Sequence, residues 1–383
     1  MKSIIPVIAI LLFAIAGEGS ETSIVINEIM YHSASDLVED EYIELVNRSG
    51  EVVDLSGWYF ADGIRFSFPA GTTMQADEYL VVAKDKSKIR VKYGLHTVYG
   101  NYIGELSNGG ETVSLANAKG QIIDRVTYSD SPPWPVAADE FGPSLECINP
   151  DQDNDQPADW STSTTTGDVA GTPGAQNTVW QSTLPPFVEE YSHQPQQPTS
   201  SDRVTITARV SCGEIIQSVS MEYTIDSVSQ WVEMQDDGQH GDGLVGDGVY
   251  GAQIDPQASQ TPVFYLFQAV DRMGRMGRSP LATDPTPRHG YLVYDGEANT
   301  DLPVYFLFID RRTLQRMDPN SDTMVDAVVA IEGEVFDGVH VRYRGAWARS
   351  WPKKNWKIRF NKGHYYKGWR TANLNGEYHD RAF

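Results

Sequence analysis

"RVTITARV" occupies residues 203–210 and alternates strictly between polar and apolar side chains. Successive side chains of a β-strand point to opposite faces, so this alternation indicates a strand with one buried face. The residues of that face are Val204, Ile206, Ala208 and Val210. Further strands are predicted at 218–226 and 262–271, and residues 201–296 are long enough for a seven-stranded sandwich.

Between these strands lies an acidic, glycine-rich loop, "DDGQHGDGLVGDGVYGA", at 236–252. Asp-Gly pairs recur every five residues, and carboxylates are the oxygen ligands that Ca²⁺ prefers. The candidate ligands are Asp237, Asp242 and Asp247. Their spacing is not that of an EF-hand, and the alternative is a long hairpin whose Asp-Gly pairs form turns. The loop resembles one in exported bacterial immunoglobulin-like modules, which implies that fold for residues 201–296.

Residues 22–177 also contain short β-type runs separated by turn residues, at 23–31, 40–47, 78–85, 110–117 and 121–130. Their spacing predicts an antiparallel sandwich, and no long stretch has helical periodicity. Glu28, Glu41 and Glu44 could form a metal or acid/base cluster. We favour the simpler interpretation, in which Glu41 and Glu44 point outward from an acidic sheet.

Five separated motifs in this segment resemble the bacterial lamin-tail domain: NEIMY at 27–31, EYIEL at 41–45, DLSGW at 54–58, LSNGGE at 106–111 and TPGAQN at 172–177. The resemblance implies an immunoglobulin-like β-sandwich. It also implies an exported, multi-domain protein in which this domain serves binding or attachment to a cell-surface or extracellular polymer or protein.

The N-terminus has the pattern of a secretory signal peptide, with Lys2 before an apolar run and a small-residue site at 14–16. We expect cleavage after Ala16, an uncleaved anchor being the alternative, and a secreted or cell-surface protein that is not transmembrane after cleavage.

Residues 178–200, rich in Pro and Gln, are predicted to be a linker. Cys147 and Cys212 are expected to be unpaired buried thiols, with a single bridge as the alternative.

The whole chain of 383 residues has a formal charge of −22, which argues against a general nucleic-acid-coating role. Residues 338–370 nevertheless contain ten Lys or Arg and no acid. The charge suggests an anionic partner, because Arg binds phosphate with two donors and Lys acts as a point charge. A solvated basic face and single-stranded nucleic acid are the alternatives, although we expect no specific nucleic-acid partner.

Secondary structure can be predicted around this cationic window. Residues 301–310 form a continuous apolar run, which predicts a strand buried on both faces. Asp310 is expected to cap a short helix, and residues 326–345 to form a hairpin around the glycines at 333–338. Residues 355–363 are predicted to be a strand with Trp356, Ile358 and Phe360 on its core face and its cations on the other.

This segment resembles the opening third of the CotH family of secretory and spore-coat atypical protein kinases. The resemblance is carried by LPVY at 302–305, IEGE at 331–334, VRYRG at 341–345, PKKNWKIRF at 352–360 and LNGEY at 374–378. It implies a kinase-like N-terminal lobe, ATP with Mg²⁺ or Mn²⁺, and a protein substrate. The implied nucleotide-binding residues are Arg342, Arg344, Gly345 and Lys357, with Lys354 as the alternative lysine.

The expected fold is therefore mainly β: two immunoglobulin-like sandwiches followed by an incomplete α+β kinase-like lobe at 300–383. The loop after Gly345 departs from an ordinary phosphate-binding loop because it carries Trp347, Arg349 and Trp351. We expect the chain to be a fragment without catalytic residues, and we interpret Asp380, which follows a histidine, as a helix cap. The alternative function is a non-enzymatic surface protein whose sandwiches bind glycan, protein or wall polymer.

Overall fold

The computed structural model describes residues 24–139, 142–165, 167–296, 304–345, 349 and 352–376. Within these ranges the chain is mainly β, as predicted, with 24 strands and two α-helices. None of the helices in the described part of the chain is long and apolar enough to cross a membrane. The predicted signal peptide, residues 1–16, lies outside the described residues.

The first domain is a two-layered β-sandwich. Its strands are β1 (Ile24–Met30), β2 (Tyr42–Asn47), β3 (Val53–Asp54), β4 (Tyr59–Asp62), β5 (Thr73–Met74), β6 (Tyr79–Ala83), β7 (Tyr99–Gly100), β8 (Gly110–Ala116), β9 (Ile122–Ser129), β10 (Leu145–Cys147) and β11 (Trp160–Thr162). One sheet has the order β11-β10-β1-β2-β6-β7, and the other layer contains β4-β8-β9 and the β3-β5 pair. Apolar residues of both layers, including Ile26, Leu45 and Val126, form one buried core.

One α-helix of this domain, α1 (Lys86–Tyr93), was not predicted from the sequence. Its eight residues are too few to establish a helical period. Its ends carry recognisable signals, because the Asp85 side chain accepts hydrogen bonds from the amides of Ser87 and Lys88 and Gly94 adopts φ +68°. Short 3₁₀ turns lie at Val38–Asp40, Val136–Ala138, Pro157–Asp159 and Gly167–Val169.

The second domain is another sandwich. Its strands are β12 (Phe187–Gln194), β13 (Val204–Ser211), β14 (Ile216–Ile225), β15 (Val228–Met234), β16 (Val249–Ile254), β17 (Thr261–Asp271), β18 (Met276–Ser279) and β19 (His289–Val293). The β12-β13-β16 sheet packs on the β15-β14-β17-β19 layer. The four predicted inward residues of β13 are buried, from Val204 to Val210.

Strand β12 falls within the stretch predicted to be a linker, so that prediction was wrong for residues 187–194. The strand pairs with β13, with Val188 opposite Val210. Pairing with the next strand stabilises β12, although the Pro- and Gln-rich composition around it does not indicate a strand. Both cysteines are unpaired as expected, although Cys212 is only partly buried.

The C-terminal segment contains β20 (Tyr305–Phe308), α2 (Arg311–Arg316), β21 (Val325–Ile331), β22 (Glu334–Tyr343), β23 (Trp356–Arg359) and β24 (Thr371–Leu374). The Asp310 side chain caps α2 by accepting from the Thr313 amide, which confirms the prediction. Strand β19 pairs with both β17 and β22, so one sheet continues from the second sandwich into this segment.

Two details of this segment differ from prediction. The hairpin turn lies at Glu332 and Gly333, both with positive φ, and Gly338 instead lies within β22 at a register shift. Strand β20 was expected to be buried on both faces, yet its four residues are only half-buried. It is the edge strand beside β21, and an edge strand has a neighbour on one side only.

Candidate functional site

Strands β22, β23 and β24 present a polar face and a core face. The register places Arg342 opposite Lys357, and Lys357 opposite Asn373. The next position along the sheet, which faces the other side, contains buried Val341 and Ile358. The alternation predicted for β23 is confirmed, so the cations of this sheet gather on the face turned away from its core.

Two guanidinium groups meet at one carboxylate on this polar face. Arg342 Nη1 lies 2.8 Å and Arg349 Nη2 lies 2.5 Å from the same atom, Oδ1 of Asp322. The hydrogen bond from Arg349, with the nearby charges of Arg342 and Lys357, holds the pKa of Asp322 below its usual value. The geometry is that of an anion site formed by two arginines and a lysine, occupied by a side chain of the protein itself.

The exposure of these groups is uneven. The side chains of Arg342 and Arg349 are 20% and 17% exposed, whereas that of Asp322 is 77% exposed. The carboxylate comes from the loop between α2 and β21, and the carbonyl of Ser321 in the same loop also accepts a hydrogen bond from Arg349 over 3.3 Å. Asp322 could not be identified from the sequence pattern, because it lies twenty residues before Arg342 and only folding brings the two together.

The remaining predicted nucleotide-binding residues lie near the same end of the sheet. Gly345 has φ +90°, a backbone conformation that glycine adopts without strain. The Arg344 guanidinium donates to Asn375 Oδ1, across the sheet end. Its backbone amide donates to Asn355 O over 3.0 Å, which holds the strand ends together.

The two candidate lysines have different surroundings. Lys354 Nζ donates to the Arg349 carbonyl over 2.6 Å and lies 5.2 Å from the ring centre of Tyr343. Lys357 instead shares the polar face with Arg342 and contributes to the field at Asp322. Of the pair, Lys357 is therefore better placed to contact an anion held by the arginines.

The tryptophans of the cationic window are not equivalent. Trp356 packs with Tyr343 at a ring-centre distance of 4.8 Å and borders the core of this segment, as predicted. Trp347 and Trp351 lie outside the described residues, as does the predicted cap at Asp380.

The Asp-Gly loop brings only part of the predicted calcium-ligand set together. Ligand atoms of Asp237, His240 and Asp242 lie within 4.8 Å of one another, and Asp247 is not in that group. Asp242 is buried and accepts hydrogen bonds from the amides of Asp237, Gly238 and His240. These amide bonds lower the pKa of Asp242. The carboxylates serve as turn acceptors, and calcium binding stays a prediction.

A second cluster of carboxylates lies inside the first domain, and one of its members, Glu146, was not among the acids considered from the sequence. Glu28 on β1 lies opposite Glu44 on β2 and Glu146 on β10, and all three are fully buried. Burial, reinforced by the charge of Glu146, raises the pKa of Glu28 to about 7. Burial also raises the pKa of Glu44 well above its usual value. The three acids thus lie in the interior of the domain, where the sequence suggested a solvated acidic surface.

The segment 172–177 covers this cluster. The amide of Thr172 donates to Glu28 Oε1 over 2.9 Å, and its hydroxyl donates to Glu146 Oε1 over 2.7 Å. The amide of Gly174 donates to Glu44. The TPGAQN motif thus supplies hydrogen-bond donors to acids on three neighbouring strands.

The prediction that Glu41 and Glu44 point outward was wrong. Glu44 is fully buried under segment 172–177, and Glu41 is 3% exposed. Glu41 accepts from the Tyr102 hydroxyl over 2.7 Å and from the Leu106 amide over 2.9 Å. Segments distant in sequence cover both faces of β2, and the alternation within β2 could not reveal that cover.

Comparison with known families supports both resemblances. Residues 18–130 match the Lamin Tail Domain, and residues 341–383 match the family described as CotH kinase protein. The chain is thus a multi-domain protein with a lamin-tail domain and a segment of a kinase-like family. The second match includes Arg342, Arg344, Gly345, Lys354 and Lys357. None of the curated proteins compared matches the chain.

Solved structures offer only weak similarity. A cycloalternan-degrading enzyme from Trueperella pyogenes aligns at 12% identity with a TM-score of 0.20, over 41% of this chain and 20% of that enzyme. The sporulation control protein Spo0M from Bacillus subtilis aligns at 9% identity with a TM-score of 0.19, over 50% of this chain and 89% of that protein. At these scores neither alignment bears on the fold or the function.

Proposed function

We propose that this is an exported protein in which two sandwich domains provide attachment and the C-terminal segment binds ATP as part of a CotH-type kinase-like domain. The sandwiches would bind a cell-surface or extracellular polymer or protein. ATP, with Mg²⁺ or Mn²⁺, would supply the phosphoryl group, and a protein would be the acceptor.

One observation carries the ATP-binding proposal: Arg342 and Arg349 converge on a single carboxylate oxygen beside Lys357, within the part of the chain that resembles CotH kinases. Two guanidinium forks and an ammonium group form a donor set suited to phosphate oxygens. The donor set therefore fits a polyphosphate at the position of the Asp322 carboxylate.

Each residue has a distinct role in this proposal. Lys357 contacts the α- and β-phosphates, and Arg342 neutralises charge beside it on the same sheet face. Gly345 turns the chain at the end of β22 so that backbone can approach the phosphates closely. We assign the metal ion to no residue of this chain, because the acid nearest to these cations, Asp322, is itself paired with the arginines.

Nucleotide titration of the purified protein tests the proposal. Isothermal titration calorimetry with ATP and Mg²⁺ at low ionic strength should show binding by the wild type and a large loss of affinity for Lys357→Ala. The matched control is Arg359→Ala, because Arg359 is an exposed cation two residues further along the same face of β23. Circular dichroism should show that both variants are folded.

An unchanged ATP affinity in Lys357→Ala would exclude the role assigned to this lysine. If the wild type shows no ATP binding but associates with anionic polymers in a salt-sensitive way, the non-enzymatic surface protein becomes the better explanation.

A further inference from the structure

The loop between α2 and β21 places its Asp322 carboxylate between the arginines of the proposed phosphate site. Both short contacts involve the same oxygen, Oδ1, at 2.8 Å from Arg342 and 2.5 Å from Arg349. A phosphate oxygen that contacts these same two nitrogens would need the position of Oδ1, because only one oxygen fits between them at these distances. Asp322 and a bound phosphate cannot both occupy it.

We propose that Asp322 is a built-in competitor that occupies the phosphate position of the C-terminal segment and must leave before a polyphosphate binds. The inference rests on the proposed ATP site and adds to it a residue that sets affinity and favours multiply charged ligands. A carboxylate carries one negative charge, so a ligand that bears several charges on adjacent phosphates gains more from the same cations.

The exposure pattern makes the exchange feasible. The Asp322 side chain is 77% exposed, and ion pairs of exposed carboxylates contribute little to stability. Arg342 is mostly covered and remains in place when the loop moves, because it lies on β22 and its Nη1 also donates to the Tyr343 carbonyl over 3.1 Å. Asp322 thus lies on a loop, whereas Arg342 and Lys357 of the site it occupies lie on strands.

The same loop provides a matched control. Asp318 is also exposed, and its carboxylate accepts a hydrogen bond from the Asn320 amide within the loop. Asp318→Asn and Asp322→Asn change the charge of the protein equally and keep the size of the side chain. They differ in whether the removed charge contacts the arginines.

The test measures inorganic tripolyphosphate without metal, and ATP with Mg²⁺, binding to the wild type and to both variants by calorimetry. Asp322→Asn should bind tripolyphosphate about twofold to fivefold more tightly than the wild type, since an exposed ion pair is worth up to about 1 kcal/mol. Asp318→Asn should match the wild type. The gain should shrink as salt is raised, because screening weakens the removed repulsion.

The competitor role is overturned if Asp322→Asn binds tripolyphosphate as the wild type does, or more weakly, or not at all. Weaker ATP·Mg²⁺ binding by this variant would instead identify Asp322 as a metal ligand. Tighter tripolyphosphate binding with no preference for ATP supports the competitor and counts against the nucleotide function. Equal ATP binding by all three proteins, by contrast, supports the nucleotide function and counts against the competitor.

Discussion

Lys362 Nζ lies 2.6 Å from Oδ2 of Asp139 and joins the C-terminal segment to the lamin-tail domain. Both side chains are buried, with exposures of 7% and 3%. The second oxygen of Asp139 is 2.5 Å from His32 Nδ1 in the lamin-tail domain. A buried ion pair thus links the first sandwich directly to the sheet that carries the candidate ATP site.

Breaking this pair is expected to destabilise the protein strongly. Lys362→Met leaves the Asp139 carboxylate without its cation and should lower the free energy of unfolding by about 3–5 kcal/mol. Urea denaturation followed by intrinsic fluorescence measures the change. The control is Lys367→Met, which removes an exposed lysine paired with Glu332 and should have little effect. Equal stability of Lys362→Met and wild type would show that the buried pair does not hold the domains together.

Gly363, which follows Lys362, permits close contact between the same two domains. A Cβ atom at Gly363 would lie 2.7 Å from Val136 Cγ2, whereas one at Gly368 would have no neighbour within 4 Å. Both glycines have positive φ, +72° and +78°, so Gly363→Ala and Gly368→Ala carry similar backbone strain. We expect the first to be clearly less stable and to separate the domains, as measured by thermal unfolding and small-angle scattering. Indistinguishable variants would contradict the contact.

The buried acid cluster predicts an unusual pH dependence. The pKa of Glu28 rises from 4.5 to about 7 on folding, so the folded state binds more protons between these values. Its contribution to stability is present below pH 4.5 and is lost as the pH rises through 7, by at most about 3 kcal/mol. Glu28→Gln resembles the protonated acid and should remove this loss.

Urea denaturation from pH 4.5 to 8 compares the wild type with Glu28→Gln and with Glu51→Gln. Glu51 is an exposed acid of the same domain and serves as the control. The wild type and Glu51→Gln should lose stability in parallel as the pH rises, relative to Glu28→Gln. Three parallel curves would mean that Glu28 does not hold a proton in the folded domain.

The stability of the Asp-Gly loop should depend on Asp242 more than on its other acids. Asp242→Ala removes the acceptor for three amides, over 2.6–2.8 Å, at a buried position. Asp247→Ala removes an acceptor at an exposed position and is the control. Hydrogen exchange in residues 236–249 should rise more in Asp242→Ala, because three amides lose their acceptor and the loop opens more readily. Equal hydrogen exchange in both variants would show that Asp242 matters no more to the loop than Asp247 does.

Calcium can be tested on the same proteins. If the loop binds Ca²⁺, millimolar Ca²⁺ should raise the melting temperature of the wild type and not that of Asp242→Ala. No heat of binding and no thermal shift in the wild type would end the calcium hypothesis.

Local pattern was sufficient to predict about half of the strands, and the faces of β13 and β23, because alternation of side chains is a property of one strand. The cap of α2 was also predictable, since Asp310 and the amide it binds are neighbours in the chain. The prediction failed for β12, for half-buried β20 and for the orientation of Glu44, where the outcome depends on what packs beside or above the strand.

The sequence by itself determined a mainly β, multi-domain chain with lamin-tail and CotH-type segments and a cationic C-terminal window. Only the tertiary structure decided that Asp322 pairs with Arg342, that Glu146 joins Glu28, and that Lys362 meets Asp139. The physical reason is distance along the chain. Each contact joins residues that are brought together by sheet pairing or domain packing, so no local sequence pattern predicts it.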